Sequence, residues 1–346
     1  MNRISNLSLN LIYHHNNENN TPKISFISTV FNKENYLERL IKSVQNQIIK
    51  EFELIFIDDF STDNSVKIIE KFMHYDDRIK LIRNKKNKGT FFSRIKGALK
   101  ARGEYIIWID PDDIILKNGL YNSYKHIKKL NLSIVQFNSI IQSNENISLK
   151  YQEYIFSDII KQPFLSYIFY YNETTKKGAQ FNTALWDKLI NRKVALKAIN
   201  FIGNDYLKEI VIIENDVLLL FSLFQVADSY QYINDIGYYY IRSNKDSIWN
   251  SWKKPEVCGL ILHGLFINIK FLYEKAGKTY LGKLFSLFKL QQSFKRYKRC
   301  FLNSKNDFIF IYQILELLKN SSFFSFDDKL IIENITLSIS TLLNET

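Results

Sequence analysis

Tyr105-Ile106-Ile107-Trp108-Ile109-Asp110-Pro111-Asp112-Asp113 is an unbroken apolar run that ends abruptly in three carboxylates around a proline. A short, continuous apolar run stopped by turn residues reads as a strand buried on both faces. The same form occurs at Leu54-Ile55-Phe56-Ile57, which stops at Asp58-Asp59, while Ile24-Ser25-Phe26-Ile27-Ser28-Thr29-Val30-Phe31 and Ile79-Lys80-Leu81-Ile82 supply two more β-rich runs. Between them lie helical patterns. Leu37, Leu40, Ile41, Val44 and Ile48 share one helical face. Val66, Ile69 and Met73 follow a start near Asp63, with Asp63 or Ser61 as cap, and Phe92, Ile95 and Leu99 precede a stop near Gly103. Apolar strands alternating with amphipathic helices are βαβ units, so the spacing predicts an α/β fold with a mostly parallel sheet and helices on both faces. Such sheets bind ligands at the carboxyl ends of their strands. That edge is where Asp58, Asp59, Asp110, Asp112 and Asp113 fall.

A length of 346 residues accommodates one large domain or two ordinary ones, and 46% apolar with 24% charged residues excludes wholesale disorder and fibrous repeats. Residues 1–22 read as a flexible polar lead-in, 23–250 as the α/β domain with halves 23–130 and 131–250, and 251–346 as a helical C-terminal region. No apolar stretch reaches the roughly 18 residues of a membrane span; Ile159 to Tyr171 is interrupted by Lys161, Gln162 and Pro163. The first residues lack a secretory leader's apolar centre, which predicts a cytoplasmic protein. Cys258 and Cys300 form no CxxC pair, which argues against a disulfide framework or thiolate zinc site.

The five histidines make no HExxH, and neither GxSxG nor GxGxxG occurs, so hydrolase and dinucleotide-dehydrogenase readings fall away. Gly277 to Leu284 has the GxxxxGK spacing of a phosphate loop but carries Leu284 where Ser or Thr belongs. The dense carboxylates after Ile109 repel one another unless a cation or hydrogen-bond donors share the charge. Oxygen ligands of this kind suit Mg²⁺ or Mn²⁺, which take one or two carboxylates together with substrate phosphates. A solvated turn with an aspartate capping the next helix is the other reading of this segment alone.

Four motifs occur in order: Ser28-Thr29-Val30-Phe31-Asn32-Lys33-Glu34; Ile57-Asp58-Asp59-Phe60-Ser61-Thr62-Asp63; Asn87-Lys88-Gly89 with Arg94; and Gly103-Glu104-Tyr105 with the Asp110 cluster. Together they resemble the family 2 glycosyltransferases of GT-A fold over roughly residues 23–130. Trp186-Asp187-Lys188-Leu189, Glu214-Asn215-Asp216-Val217 and Tyr238-Tyr239-Tyr240 with Arg242, Asn244, Ser247 and Ile248 extend the resemblance, in particular to bacterial transferases that build lipooligosaccharide or capsule chains.

The resemblance implies a metal-dependent, inverting transfer of a hexosyl or N-acetylhexosaminyl group from a nucleotide-sugar, with a lean to UDP, onto a glycan or lipid-linked glycan acceptor. By matched position, Thr29, Phe31 and Asp59 cradle base and ribose, and Arg94 and Asp113 line the same cleft. Asp110 reaches the ribose or the metal, and Asp112 holds the metal, Mn²⁺ or Mg²⁺. Asp216 is the implied general base, with Glu214 a rival by register; Asp216 also suits a helix cap. Phe31 stands where tyrosine is common and Asn215 where glutamate is usual.

Competing readings are a nucleotidyl or pyrophosphoryl transferase, and a catalytically silent scaffold or nucleic-acid binder drawn by the net charge of +12. The last predicts aromatics interleaved with Lys and Arg in one groove, a pattern the sequence lacks, so no nucleic-acid partner is expected. Between Glu274 and Asp307 every charged residue is basic, and Leu281, Leu284, Phe285 and Phe288 follow helical spacing. This segment predicts an amphipathic helix that lies peripherally on the anionic inner face of a membrane, packs on the domain, or mediates dimerisation.

Overall fold

The computed structural model describes residues 21–143, 146–148, 158–162, 184–207 and 215–241, with isolated helical positions between 264 and 275 and at 333. The chain begins β1 (Ile24–Val30), α1 (Leu37–Gln45), β2 (Phe52–Asp58), α2 (Ser65–Tyr75), β3 (Ile79–Arg83), α3 (Gly89–Lys100), β4 (Tyr105–Ile109). It continues with β5 (Ile114–Ile115), α4 (Lys117–Leu130), β6 (Ile134–Ser143), β7 (Asn146–Ser148), β8 (Ile160–Lys161), β9 (Lys188–Asn191), α5 (Arg192–Ile202), α6 (Asn204–Leu207), α7 (Asn215–Val226) and β10 (Ser229–Ile241). Among the described residues these strands form one sheet, ordered β3-β2-β1-β4-β9-β6-β10-β5, with β7 on β6 and β8 on β10.

The first half is the predicted parallel unit. β1 pairs in parallel with β2 and with β4, and β2 in parallel with β3. β1 therefore lies between the two strands that end in acidic residues, and their carboxyl ends share one edge. The second half breaks the pattern. β9 runs antiparallel to both β4 and β6, whereas β10 returns parallel to β6 with register shifts between Tyr232 and Tyr238.

Each face of the sheet carries a core. One side packs Phe26, Val30, Phe56, Tyr105 and Ile107 with Leu37, Leu40, Ile41 and Val44 of α1, Ile69 of α2 and Ile127 of α4. The other packs Ile27, Ile57, Ile106 and Trp108 with Phe91, Ile95 and Ala98 of α3 and with residues of α5 and α7. Burial of side chains such as Phe26, Phe56, Phe91 and Trp108 contributes about 1.5–3 kcal/mol each.

Local details depart from the periodicity reading. Ile48 is exposed because α1 stops at Gln45. On α3 the inward face is Phe91, Arg94, Ile95 and Ala98, and Leu99 is exposed. Two interleaved apolar sets fit the helical period there, and the buried set is the one that includes the arginine. Neither Ser61 nor Asp63 occupies the N-cap of α2; Asn64 does, while Asp63 Oδ1 accepts from Ser65 N at 2.9 Å.

Ile267 and Phe271 are buried in the core beside α6 and α7, with Phe271 edge-on to Tyr206 at 4.9 Å and to Phe221 at 6.1 Å. Part of the segment after residue 250 thus docks on the α/β domain. The near phosphate loop at 277–284, Arg242, Asn244, Ser247, Ile248, Glu214 and the basic residues from Lys278 to Lys305 lie outside the described residues. Among the described residues no helix is long and apolar enough to cross a membrane.

Candidate active site

The five carboxylates reach one edge, but they are not equivalent there. Asp58 is fully buried, its Oδ1 accepting from Ser61 N at 3.1 Å and its Oδ2 from Arg83 Nε at 3.2 Å. Asp59 is also buried and closes the joint between β2 and α3. Its Oδ1 accepts from Asn84 Nδ2 and Lys88 N, each at 2.8 Å, and its Oδ2 from Gly89 N at 2.7 Å. Gly89 sits at φ 83°, which a glycine accepts without strain, and its N–H is thereby aimed at the carboxylate. The charge also complements the positive end of α3.

Asp113 is sealed in as well. Oδ1 accepts from Ile241 N at 2.9 Å and Oδ2 from the Tyr238 hydroxyl at 2.8 Å. Burial, then the Asp110 and Asp112 charges, push its carboxyl well above the ordinary range, against the pull of those two donors. The Tyr238 hydroxyl also accepts from Asp110 N at 3.1 Å, so one buried phenol ties both ends of the acidic turn to β10. Trp186 stacks on Tyr238 at 4.5 Å and on Tyr240 at 5.4 Å, clamping that phenol from the side. The W-x-K-L and Y-x-Y segments therefore brace the turn from below. Behind them a buried chain runs from Tyr230 through Gln136 and Asp187 to Lys188, whose ammonium binds Asp187 Oδ1 at 2.6 Å and the Ala184 carbonyl at 2.7 Å.

Asp110 and Asp112 keep access to solvent, with side chains 30% and 16% exposed. Asp110 Oδ1 accepts from Arg94 Nη2 at 3.0 Å, and its Oδ2 has no partner among the described residues. Burial raises the Asp110 carboxyl; Arg94 opposes that, and Asp112 adds to it. Asp112 Oδ2 accepts from Lys33 Nζ at 3.1 Å, and Arg39 donates to its main-chain carbonyl.

Arg94 is the hub. Only 6% exposed, it donates through Nη1 to Asp216 Oδ1 and Asn215 Oδ1 and through Nη2 to Asp110, while its carbonyl accepts from Trp108 Nε1 at 3.1 Å. A Cβ added at Gly97 would lie 2.3 Å from Ile27 Cγ2, so α3 sits hard against β1 and carries Arg94 to the strand ends. One guanidinium thus joins the end of β4 to the first turn of α7, Arg94 and Asp216 being 122 positions apart in the chain.

Thr29 is partly exposed near the end of β1, and Phe31 and Phe60 project at 47% and 49% exposure just beyond β1 and β2. Phe60 holds φ 74°, a conformation that bulky residues rarely adopt. The loops bearing them are laced together by Asn32 N to Ser61 Oγ at 3.0 Å, Thr62 N to Asn32 Oδ1 at 2.9 Å and Lys33 N to Ser65 Oγ at 2.8 Å.

Of the residues singled out from the sequence, Arg94, Asp110 and Asp216 are in direct contact, with Asp112 beside them. Thr29 and Phe31 border the same edge, and Asp59 and Asp113 are turned into the protein. Lys33, Arg39 and the bracing role of Tyr238 were not legible in advance; the small spacing of Lys33 and Arg39 around Tyr36 was the available signal.

A divalent cation fits the donor set. Asp110 and Asp112 are neighbouring carboxylates, one oxygen of Asp110 is unengaged among the described residues, and burial and then the Asp112 charge raise its carboxyl, so the pair offers the oxygen donors that a divalent cation takes together with phosphates. Among the described residues no cluster of three or more His, Cys, Asp or Glu is placed to hold a metal by itself.

The description "Glycosyl transferase family 2" matches residues 25–199, just over half the chain. A cholesterol galactosyltransferase of Borreliella burgdorferi is 32% identical over 222 residues, covering 62% of this chain and 59% of the relative. A Campylobacter jejuni GalNAc(5)-diNAcBac-PP-undecaprenol beta-1,3-glucosyltransferase is 38% identical over 100 residues, 29% of this chain and 32% of that protein. The chain thus matches less than two thirds of the length of these curated relatives. The crystal structure of S. aureus TarS 1-349 in complex with UDP-GlcNAc superposes with a TM-score of 0.61 at 19% identity, covering 86% of this chain and 80% of that one. That likeness establishes the GT-A fold of the mostly parallel sheet and its flanking helices. By its matched residues and its architecture, the chain belongs to the family 2 glycosyltransferases.

Proposed function

We propose that the protein transfers a sugar from a nucleotide-sugar, in the first instance a UDP-sugar, to a hydroxyl of a glycan or lipid-linked glycan acceptor, with inversion at the anomeric carbon. One observation carries this reading. Arg94 holds the carboxylates of Asp110, at the end of a parallel strand, and Asp216, at the start of α7, one guanidinium apart. A donor-side acid and a candidate base on the opposite wall are what a single displacement needs.

Asp216 Oδ1 is engaged by Arg94, and Oδ2 has no partner among the described residues. Oδ2 takes the acceptor proton as the acceptor oxygen forms its bond to the anomeric carbon and the bond from that carbon to the diphosphate oxygen breaks. General-base assistance of this kind contributes about 10²–10⁴-fold. Asp110 and Asp112 hold the divalent cation, which when bound neutralises charge on the departing diphosphate. Phe31 offers a ring face to the base beside Thr29, Asp59 shapes that edge by fixing the start of α3, and Asp113 braces the acidic turn. Galactosyl and glucosyl transfer by the two named relatives and UDP-GlcNAc binding by TarS support a hexose or N-acetylhexosamine donor. The basic segment beyond Glu274 supports an acceptor held at an anionic membrane surface, in keeping with a lipid-linked glycan.

The test is incubation with a panel of nucleotide-sugars with and without Mn²⁺, followed by assay of free nucleoside diphosphate. Release of nucleoside diphosphate that depends on both donor and cation is expected. Release of pyrophosphate identifies a nucleotidyl transferase, and full activity in EDTA overturns the metal requirement.

A further inference from the structure

Between Asp77 and Glu104 the chain carries ten basic residues and no acidic one. The four arginines among them each hold a carboxylate: Arg78 that of Asp76, Arg83 that of Asp58, Arg94 that of Asp110 and Arg102 that of Glu53. The six lysines form no ion pair with a carboxylate among the described residues. The fold thus neutralises its arginines here and leaves its lysines to an anion from outside.

These lysines gather on one border of the molecule. β3 is the last strand of the sheet and pairs only with β2 among the described residues. Ile82 packs on the core beneath α3, and Lys80, two residues earlier on the same face of the strand, is exposed. Lys96 of α3 reaches over that border, its Nζ donating to Asn84 Oδ1 at 2.7 Å and to the Arg83 carbonyl at 3.4 Å. Lys100 follows one turn later on the same side of the helix, exposed beside the exposed Leu99. Burial, then the Lys100 charge, lower the Lys96 ammonium against the pull of Asp59. Lys85 and Lys86 are exposed on the loop after β3. That loop is fastened to the carboxyl edge of the sheet, because Asp59 accepts from Asn84 Nδ2 and Lys88 N, and the half-exposed Phe60 comes next after Asp59. The strip of lysines therefore follows β3 for about 13 Å and ends beside the mouth of the candidate site.

We infer that this strip docks the α/β domain on an anionic membrane leaflet. The inference rests on the lipid-linked acceptor proposed above and adds the surface that brings the site to it. Lysines on flexible stems, spread over a strand, a loop and a helix, converge on no single point, so they suit a plane of many small anions better than one bound ligand. Each lysine close to an anionic leaflet strengthens binding by about fivefold. Leu99 puts an aliphatic side chain among them, which a headgroup layer accommodates and which replaces the stacking ring that a single-stranded nucleic acid requires. Lysine on an edge strand also deters pairing with another strand, which accounts for Lys80 but not for the lysines of the loop and the helix. With the strip on the leaflet, the carboxyl ends of β1, β2 and β4 open beside the headgroups, where the glycan of a lipid-linked acceptor can enter.

The experiment is co-sedimentation of the full chain with vesicles of phosphatidylcholine alone and of phosphatidylcholine with phosphatidylglycerol, at low and high salt. The strip variant carries Lys80→Gln, Lys85→Gln, Lys86→Gln and Lys100→Gln. The control carries Lys67→Gln, Lys71→Gln, Lys125→Gln and Lys129→Gln, exposed lysines of α2 and α4 on the opposite face of the sheet. Both lose four charges and keep the basic segment beyond Glu274. Thermal melts confirm that each is folded, and the double variant Lys85→Gln/Lys86→Gln serves if the strip variant is not. With two or three of the four lysines in reach of the surface, the strip variant should partition onto anionic vesicles about 20–100-fold less well than wild type at low salt. The control should lose no more than about threefold, the share of net charge felt at a distance. Neither variant should change the affinity for UDP with Mn²⁺.

Equal partitioning of the strip variant and wild type overturns the inference, as does an equal loss in the control, which would assign the effect to net charge alone. Strip-dependent binding of single-stranded DNA, with no strip dependence on vesicles, overturns it in favour of a polynucleotide. Release of nucleoside diphosphate from UDP-sugars, read on the same proteins without vesicles, separates this inference from the transferase reading: its absence in every protein, beside strip-dependent vesicle binding, refutes the transferase reading and leaves the docking face standing.

Discussion

Replacing Tyr238 with phenylalanine removes one oxygen and nothing else, and the structure fixes what that oxygen does. The ring is fully buried and stays stacked on Trp186, so no cavity of consequence opens. Two hydrogen bonds are lost, the donation to Asp113 Oδ2 and the acceptance from Asp110 N. Asp110 is partly exposed, so water can recover its N–H, whereas Asp113 Oδ2 is left in the interior with no donor. An unsatisfied buried acceptor costs about 1–3 kcal/mol, which places the expected loss near 2 kcal/mol. Urea denaturation should show a lower midpoint at an unchanged slope. A double-mutant cycle with Asp113→Asn should return a coupling of at least about 1 kcal/mol. Because the same phenol ties down Asp110, affinity for UDP with Mn²⁺ should fall together with stability. A loss under about 0.5 kcal/mol with no coupling would refute the assignment of Tyr238 as the brace of the acidic turn.

Phe60→Gly should be more stable than Phe60→Ala by about 1 kcal/mol in the same assay, because both lose an exposed ring and only glycine relaxes at φ 74°. Asp76, held mainly by its bonds to Arg78 and helped by Gln45, has its carboxyl lowered from 3.8 to about 2 against the effect of burial. Its folded value lies below its unfolded one, so its contribution is full above pH 4 and is lost as pH falls toward 2. Discounted for the exposed side of Arg78, Asp76→Asn should cost about 1–2 kcal/mol at pH 7 and almost nothing at pH 2, read from denaturation at the two pH values. The full chain should co-sediment with anionic but not neutral vesicles, less so at high salt, and lose that binding when the Lys and Arg residues of 275–306 are neutralised; equal sedimentation of the two proteins would assign the basic segment to packing.

The parallel half of the sheet was readable because each of its strands is a compact apolar run with a helix of clear period after it. β9 and the first part of β10 were not, since Lys188 on β9 and Gln136 on β6 put polar atoms in the sheet's centre and β10 carries its register shifts between Tyr232 and Tyr238; only the end of β10, Tyr238 to Ile241, reads as a short strand. Burial inverted part of the site as well. Asp59, Asp112 and Asp113 look alike in sequence, yet Asp59 and Asp113 are sealed in by buried donors whereas Asp112, paired with Lys33, keeps part of its side chain open to solvent. Nothing local distinguishes them, because Gly89, Ile241 and Tyr238 arrive from other elements. Arg94 was legible as a cleft residue from the motif it shares with Asn87-Lys88-Gly89, but its place at the hub was not, because its partners Asn215 and Asp216 lie more than a hundred residues away.

Single-turnover kinetics of Asp216→Asn, measured beside calorimetric binding of UDP with Mn²⁺, test the proposed chemistry most directly. Loss of the base should lower the rate of sugar transfer by about 10²–10⁴-fold while the affinity for UDP stays within a factor of about two. Near wild-type transfer by Asp216→Asn, alongside an inactive Glu214→Gln, would contradict the assignment and move the base two residues earlier in the chain.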